Sequence, residues 1–328
     1  CMGSVAYIME SKVKHLFVLN PAAGKHDSSG ELHQLIDELG SARGLDFRTI
    51  VTQGPGDAAA RVGEAVRSGD ELRIYACGGD GTLNEVVNGA AGWANAAVTQ
   101  VPCGSGNDFV KLFSEPAAFA DLGRLMDPEE ALFDVVRVND RLSVGVCSVG
   151  FDARIGTDIA RYKRLPLVTG PGAYALSIAA NLIRGVHEHY RIELEGRVLD
   201  GRYTMVSLCN GRWYGGGYCP VPEADPSDGL LDVLLVRAVS RATVVRVIGK
   251  YKQGRYRELS NLMTHHRCRS VRIQADAPTA VNLDGELLRT DDVHFAIEPG
   301  KLRFFYPRGL QWRPKTPVPV EGETAVVK

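Results

Sequence analysis

Between residues 14 and 102 the chain repeats one arrangement: a short apolar run, a turn rich in Gly, Asn or Asp, then a segment of helical periodicity. HLFVLN ends at Asn20 before PAAGK, ELRIYACG runs into GDGT, and AAVTQVP runs into CGSGND. The segments ELHQLIDELG, GDAAARVGEAV and TLNEVVNGA carry their apolar residues at helical spacing, and DFRTIVT reads as a further strand. Such alternation constrains the fold strongly. Each helix returns the chain to the edge where the last strand began, so successive strands run parallel and every glycine turn falls at the same carboxyl edge. A ligand site is expected along that edge.

After Glu130 the texture changes to short β-rich runs: LFDVVRVNDRLSVGVCSVGFDA around an Asn139-Asp140 turn, then YRIELEGRVLDGRYTMVSLCNG, GLLDVLLVRAV, SVRIQADAPTAVNLDGELL and DVHFAIEPGKLRFFYP. The pattern predicts an α/β N-terminal domain with a parallel sheet over residues 10–133 and a mainly antiparallel β C-terminal domain over 134–298. The segment at about 299–318 is expected to pack back on the first domain, and 319–328 to form a flexible tail. A helical insert is expected from Thr243 to Met263.

A chain of 328 residues, 45% hydrophobic and 23% charged, is long enough for two cores. A formal net charge of -1 argues against a nucleic-acid partner held by a basic field. Seven cysteines without a C-x-x-C pair point to neither a disulfide framework nor a zinc knuckle, and suit a reducing cytoplasm. The histidines of His187-Glu188-His189 and His265-His266 lack the i, i+4 spacing of a metal pair and read as exposed or capping residues. Met2 to Met9 lacks the basic start and long apolar run of a leader. The charge-free stretch LPLVTGPGAYALSIAANLI is interrupted by Pro166 and Gly170-Pro171-Gly172, so it predicts a loop and a short buried helix, Ala173 to Ile183, rather than a transmembrane span.

The chemistry is concentrated in the turns. In GGDGTLNE, Gly78, Gly79 and Gly81 permit a tight turn whose N–H groups, with the helix N-terminus, make an anion site. Thr82 and Glu85 have the spacing of a capping box. That box leaves Asp80 unexplained, because a carboxylate facing phosphate repels it unless a cation lies between them, and Mg2+ resolves the conflict. In NPAAGK, Asn20 and Gly24 supply a turn and Lys25 a charge for phosphate; no Walker A loop occurs. Gly104, Ser105 and Gly106 close the next strand, with Asn107 and Asp108 opening a helix. Far along the chain, Asp284-Gly285-Glu286 lies between two β runs as a hairpin turn. If the β domain folds against the sheet edge, its two carboxylates reach the same cleft.

Taken in order, NPAAGK, GGDGTLNEVVNG, PCGSGNDFVK, GFDA and NLDGE resemble the bacterial diacylglycerol kinase family and its lipid-kinase relatives, a group related to sphingosine kinases and NAD kinases. The resemblance covers about Lys14 to Pro307. It implies an ATP- and Mg2+-dependent lipid kinase, most simply one that converts diacylglycerol to phosphatidic acid at the membrane surface. A sphingoid base, phosphatidylglycerol or NAD as acceptor, and a nucleotide-binding regulator without catalysis, are the alternatives.

By the same resemblance, ATP contacts fall on Asn20, Thr52, the run Gly78, Gly79, Asp80, Gly81, Thr82, Leu83, Asn84, and Ser105. The magnesium network falls on Asp80, Asp108 and Glu286, with Asp134 a further candidate. The proton acceptor is Glu286 or Asp284. A second, structural metal would take the side chain of Asp228 and the carbonyls of Asp225 and Leu230. A cleft between two domains that closes would keep water out. The acceptor side is expected to combine apolar surface with cations, Arg161, Lys163 and Arg164 in one segment and Arg246, Lys250, Lys252, Arg255 and Arg257 in another. The sequence leaves a homodimer open.

Overall fold

The computed structural model describes residues 13–24, 27, 29–162 and 170–313. The described residues fall into two compact units, the first drawn from Cys1–Asn107, Ala117–Phe133 and Gly300–Gly309, the second from Asp108–Pro116, Asp134–Pro299 and Leu310–Lys328.

The first unit alternates β1 (Lys14–Leu19), α1 (Ser29–Ala42), β2 (Asp46–Val51), α2 (Asp57–Val66), β3 (Leu72–Gly78), α3 (Asp80–Ala90) and β4 (Ala96–Pro102), followed by a one-turn α4 (Leu122–Leu125). β1 pairs in parallel with β2 and β3, and β3 with β4. β1 and β3 are buried almost throughout, as strands covered on both faces by helices must be. Phe17 and Tyr75 stack at 4.2 Å between ring centroids, and Phe305 meets the same tyrosine edge-on at 5.0 Å. Each such fully buried side chain contributes roughly 2 kcal/mol of transfer free energy. β5 (Pro128–Val138) and β13 (Glu286–Pro307) each give residues to both units, and Arg303 and Phe304 of β13 add a parallel pairing to β4.

The second unit is mainly antiparallel. It contains β6 (Arg141–Ser143), β7 (Val146–Gly150), α5 (Phe151–Tyr162), α6 (Gly170–Arg184), β8 (Glu188–Leu194), β9 (Arg197–Cys209), β10 (Leu231–Arg237), α7 (Arg241–Lys252), β11 (Met263–Cys268) and β12 (Ser270–Leu283). β7 lies between β9 and β12, and β8 also bridges β9 and β12. The β5–β6 hairpin turns at Asn139-Asp140 as expected, with Asn139 in the left-handed region.

Three local expectations change. GFDA opens helix α5 instead of continuing a strand: Phe151 and Ile155, one helical turn apart, both bury against Val186, Val239 and Val244. Helix α6 starts at Gly170, ahead of Ala173, because proline is tolerated in a first turn whose N–H groups lack intrahelical partners. The helical insert ends at Lys252, and a short 3-10 turn, Tyr256–Leu259, leads into β11. Among the described residues no helix is long and apolar enough to cross a membrane.

Candidate active site

Strand register brings the predicted turns together. Leu19 lies opposite Val51 and Cys77, and Gly78 opposite Pro102, so the four strands end level. The ladder continues one step past their ends: Thr52 N donates to the Leu19 carbonyl at 2.9 Å, Asn20 N to Cys77 at 3.0 Å, and Cys103 N to Gly78 at 3.1 Å. Asn20, Thr52, Gly79 and Gly104 therefore share one edge. Asn20 is fixed there, its amide oxygen accepting from Ala22 N at 3.0 Å and its amide nitrogen donating to the Thr82 hydroxyl at 2.9 Å. Lys25 lies outside the described residues.

The glycines have a steric reason beyond turn formation. A Cβ on Gly78 would stand 2.2 Å from Thr82 Oγ1, and one on Gly104 would stand 2.5 Å from the Gly79 Cα. The two turns thus touch backbone to backbone. Asn107 ties its own turn, accepting from Gly104 N at 3.1 Å and donating to the Gly104 carbonyl at 2.7 Å. Helix α3 begins at Asp80 with Gly79, which has no side chain of its own, as its N-cap. A helix start with a glycine N-cap, set among close-packed glycine backbones, is suited to phosphate.

The capping box is corrected. Thr82 sits inside the first turn of α3, and the Glu85 carboxylate accepts from Gly56 N at 2.8 Å and Ala58 N at 3.1 Å. It caps the neighbouring helix α2, because α2 packs beside α3 and Gly56 offers no side chain of its own.

In the second unit the predicted acids differ in their engagements. Asp108 precedes a 3-10 turn, Phe109–Leu112, which it does not cap; its carboxylate accepts from Gly216 N at 2.9 Å and from Lys111 at 2.5 Å. Asp134 is buried and accepts from Gly229 N at 2.7 Å. Asp225 accepts from the backbone and hydroxyl of Ser227 at 3.0 and 2.8 Å. Asp228 accepts from Leu230 N at 2.9 Å and pairs with the Arg267 guanidinium, which also reaches Asp232 at 3.4 Å. Asp284 has φ of 50° and Gly285 φ of 98°, the two left-handed residues of a tight hairpin that pairs Leu283 with Glu286. The Asp284 carboxylate accepts from Val144 N at 2.8 Å and Gly145 N at 2.9 Å, while Glu286 is exposed.

Among the described residues, no three His, Cys, Asp or Glu side chains form a cluster able to hold a metal ion. His265 departs from the exposed or capping expectation: its side chain is 5% exposed, between Asp232 at 2.7 Å and the Tyr256 hydroxyl at 3.2 Å.

Two features carried no role in the sequence reading. Asp152 of GFDA accepts from Ser148 Oγ at 2.9 Å, and burial pushes its carboxyl above the usual range, opposed by the Ser148 and Tyr214 hydroxyls. The Tyr214 hydroxyl contacts Tyr251, and Tyr251 contacts Ser207, both at 2.8 Å. Asp152 borders an apolar cavity lined by Ile155, Met205, Val236, Val247 and Ile248. An acid at an apolar strand-to-helix junction was the available signal. The second feature is Asn210, which is almost wholly buried within CNG, a tripeptide that reads as an ordinary turn.

Of the predicted cations, the side chains of Arg161, Lys163 and Arg164 lie outside the described residues. Lys250 and Arg255 pair with Glu258 at 3.1 and 2.6 Å, Arg257 pairs with Glu223 at 2.6 Å, and Lys252 lies over the Tyr218 ring.

A parallel α/β unit with glycine-rich turns at one edge, joined in sequence to an antiparallel β unit, is the arrangement of a class of nucleotide-using two-domain proteins. Residues 14–140 match the diacylglycerol kinase catalytic domain, and residues 145–306 match the YegS C-terminal NAD kinase beta sandwich-like domain. The chain belongs to the diacylglycerol kinase family of lipid kinases, and its catalytic domain implies ATP use. It is 29% identical to a "Probable lipid kinase YegS-like" protein of Pseudomonas aeruginosa over 91% of this chain and 96% of that one. A protein of the same description from Xanthomonas oryzae pv. oryzae is 29% identical over 87% of this chain and 94% of the relative. The fold is shared with a solved diacylglycerol kinase structure from Bacillus anthracis, at a TM-score of 0.64 and 21% identity, covering 89% of this chain and 96% of the other.

Proposed function

We propose that the chain transfers the γ-phosphoryl group of ATP to a lipid hydroxyl in a Mg2+-dependent reaction, most simply that of diacylglycerol, giving phosphatidic acid. The observation that carries this reading is the contact of the Gly79 and Gly104 backbones beside a helix start whose N-cap is glycine. Within the run 78–84, the backbone N–H groups at the start of α3 receive the phosphates, with Asn20, Thr52 and Ser105 as further polar contacts and Lys25 as a cation.

By the family resemblance, Asp80, Asp108 and Glu286 are the residues that would hold Mg2+, although among the described residues no three such side chains form a ready-made cluster. An ion held by them would neutralise phosphate charge and hold the nucleotide in line with its acceptor. The second metal site fits poorly at its one side-chain ligand, because the Asp228 carboxylate is engaged by the Leu230 N–H and the Arg267 guanidinium. No step is assigned to it.

Within the DGE turn we assign Asp284 as the proton acceptor. A base acts through position, and two backbone N–H groups fix this carboxylate. Glu286, exposed, suits a water-mediated metal contact. The exposed Ile183 and Val245 suit a membrane surface, while the apolar cavity beside Asp152, about 40 Å³, would have to widen to take the acyl part of a lipid.

The test is label transfer from ATP to vesicles containing diacylglycerol, phosphatidylglycerol or a sphingoid base, with NAD as a parallel acceptor. Label in diacylglycerol is the expected outcome. Turnover on NAD alone would refute the lipid assignment, and nucleotide binding without turnover on any acceptor would refute catalysis. Asp80→Asn is expected to raise the Mg2+ requirement, and Asp284→Asn to lower kcat while nucleotide still binds.

A further inference from the structure

Behind Asp284 the second unit contains a polar clamp. The Asn210 side-chain amide donates two hydrogen bonds, to the Asp134 carbonyl at 2.9 Å and the Val144 carbonyl at 2.8 Å. Its backbone N–H and that of Gly211 donate to the Gly145 carbonyl at 3.0 and 2.9 Å. Val144 and Gly145 are also the two residues whose N–H groups hold the Asp284 carboxylate. This dipeptide is therefore gripped on its carbonyl side by Asn210 and Gly211, and on its amide side it grips Asp284.

The local chemistry fixes each identity. Two carbonyl oxygens facing one side-chain amide are satisfied only by its NH2 end, so the orientation of Asn210 is set by its partners. Asn210 is 1% exposed, and neither aspartate nor leucine would supply those two donors. Gly145 is squeezed from both directions: a Cβ on it would lie 2.7 Å from Asp284 Oδ1, and a Cβ on Gly211 would lie 3.2 Å from the Gly145 Cα. Asparagine and two glycines, remote in sequence from DGE, thus build the seat of its aspartate.

We propose that Asn210 is a positioning residue: through the Val144 and Gly145 amides it sets where the Asp284 carboxylate stands. The inference rests on Asp284 as proton acceptor for its effect on rate, but not for its effect on structure. A seat held from behind by three hydrogen bonds, with a fourth anchoring Asn210 to the Asp134 carbonyl, is preorganised, and a shift of about 1 Å at a reacting group costs on the order of 100-fold in rate.

The experiment combines amide hydrogen exchange with a double-mutant cycle on the full chain. Asn210→Asp keeps shape and removes the donors; it should speed exchange at the Val144 and Gly145 amides at least tenfold. It should also lower kcat about 10- to 100-fold with KM for ATP within twofold. Combined with Asp284→Asn it should add little further loss, because both variants disable one unit. Gly145→Ala disturbs the seat from the Asp284 side and should give the same kcat pattern in a chain with an intact Asn210, which covers the case in which Asn210→Asp fails to fold. Unchanged exchange at residues 144 and 145 overturns the proposal, as does a loss in the double mutant equal to the product of the single losses. If Asp284→Asn alone retains full turnover, the proton-acceptor reading fails, and the exchange measurement still decides the positioning.

Discussion

Gly104→Ala tests the contact on which the nucleotide edge depends. The added methyl would lie 2.5 Å from the Gly79 Cα, 3.1 Å from the Gly79 N and 3.0 Å from Asn107 Oδ1. Carbon atoms pack at about 3.5–4.0 Å, so the two turns must separate by roughly 1 Å. Gly79 presents backbone there, and no flexible side-chain end is available to move aside. Overpacking of this kind costs about 1–3 kcal/mol, and each kcal/mol lowers Tm by roughly 2–4 °C in a unit of this size. The functional loss should exceed the stability loss, since a displacement of ~1 Å at a phosphate-positioning group costs about 100-fold. Thermal unfolding and steady-state kinetics against ATP measure the two effects. Gly30→Ala is the control, because its Cβ would meet nothing within 4 Å. A Gly104→Ala protein with wild-type kcat/KM for ATP would refute the claim that the touching turns form the phosphate seat.

Other outcomes follow from the same structure. Glu85→Ala removes the acceptor of two N–H groups at the start of α2 and should cost about 1 kcal/mol, seen as a lower unfolding midpoint, with Glu85→Gln intermediate; an unchanged midpoint would return Glu85 to its own helix. Burial, reinforced by Arg73, holds the His15 imidazole down to about 4, so the native state binds fewer protons than the unfolded chain at acid pH. Its contribution is intact above the ordinary histidine value of 6.5 and is lost as pH falls towards 4, by about 3 kcal/mol in full. Replacing His15 by glutamine should flatten that part of the stability profile, and an unaltered slope would remove His15 as its cause. At the loop around Asp228, where Arg267 already supplies a positive charge, EDTA should leave the nucleotide-free unfolding midpoint unchanged and Arg267→Ala should lower it. A midpoint that falls on chelation would restore a structural metal there.

The sequence by itself determined the order of elements in the first unit and the edge on which its turns fall. Strand, glycine turn and helix follow one another at spacings that permit little besides a parallel sheet, and in such a sheet level strand ends follow from the connections. It also determined the Asp284-Gly285 hairpin, because two left-handed residues in a two-residue turn are a local matter. Tertiary structure alone decided what non-neighbouring groups do. Glu85 has the local spacing of a box on its own helix, yet the amides of α2 are closer to its carboxylate. GFDA reads as a continued strand, yet Phe151 and Ile155 find an apolar surface only as one face of a helix. Asn210 shows no periodicity or motif, and its role exists only where Asp134, Val144 and Gly145 converge. Local propensity is written in neighbouring residues, whereas hydrogen-bond partners distant in the chain are chosen by packing.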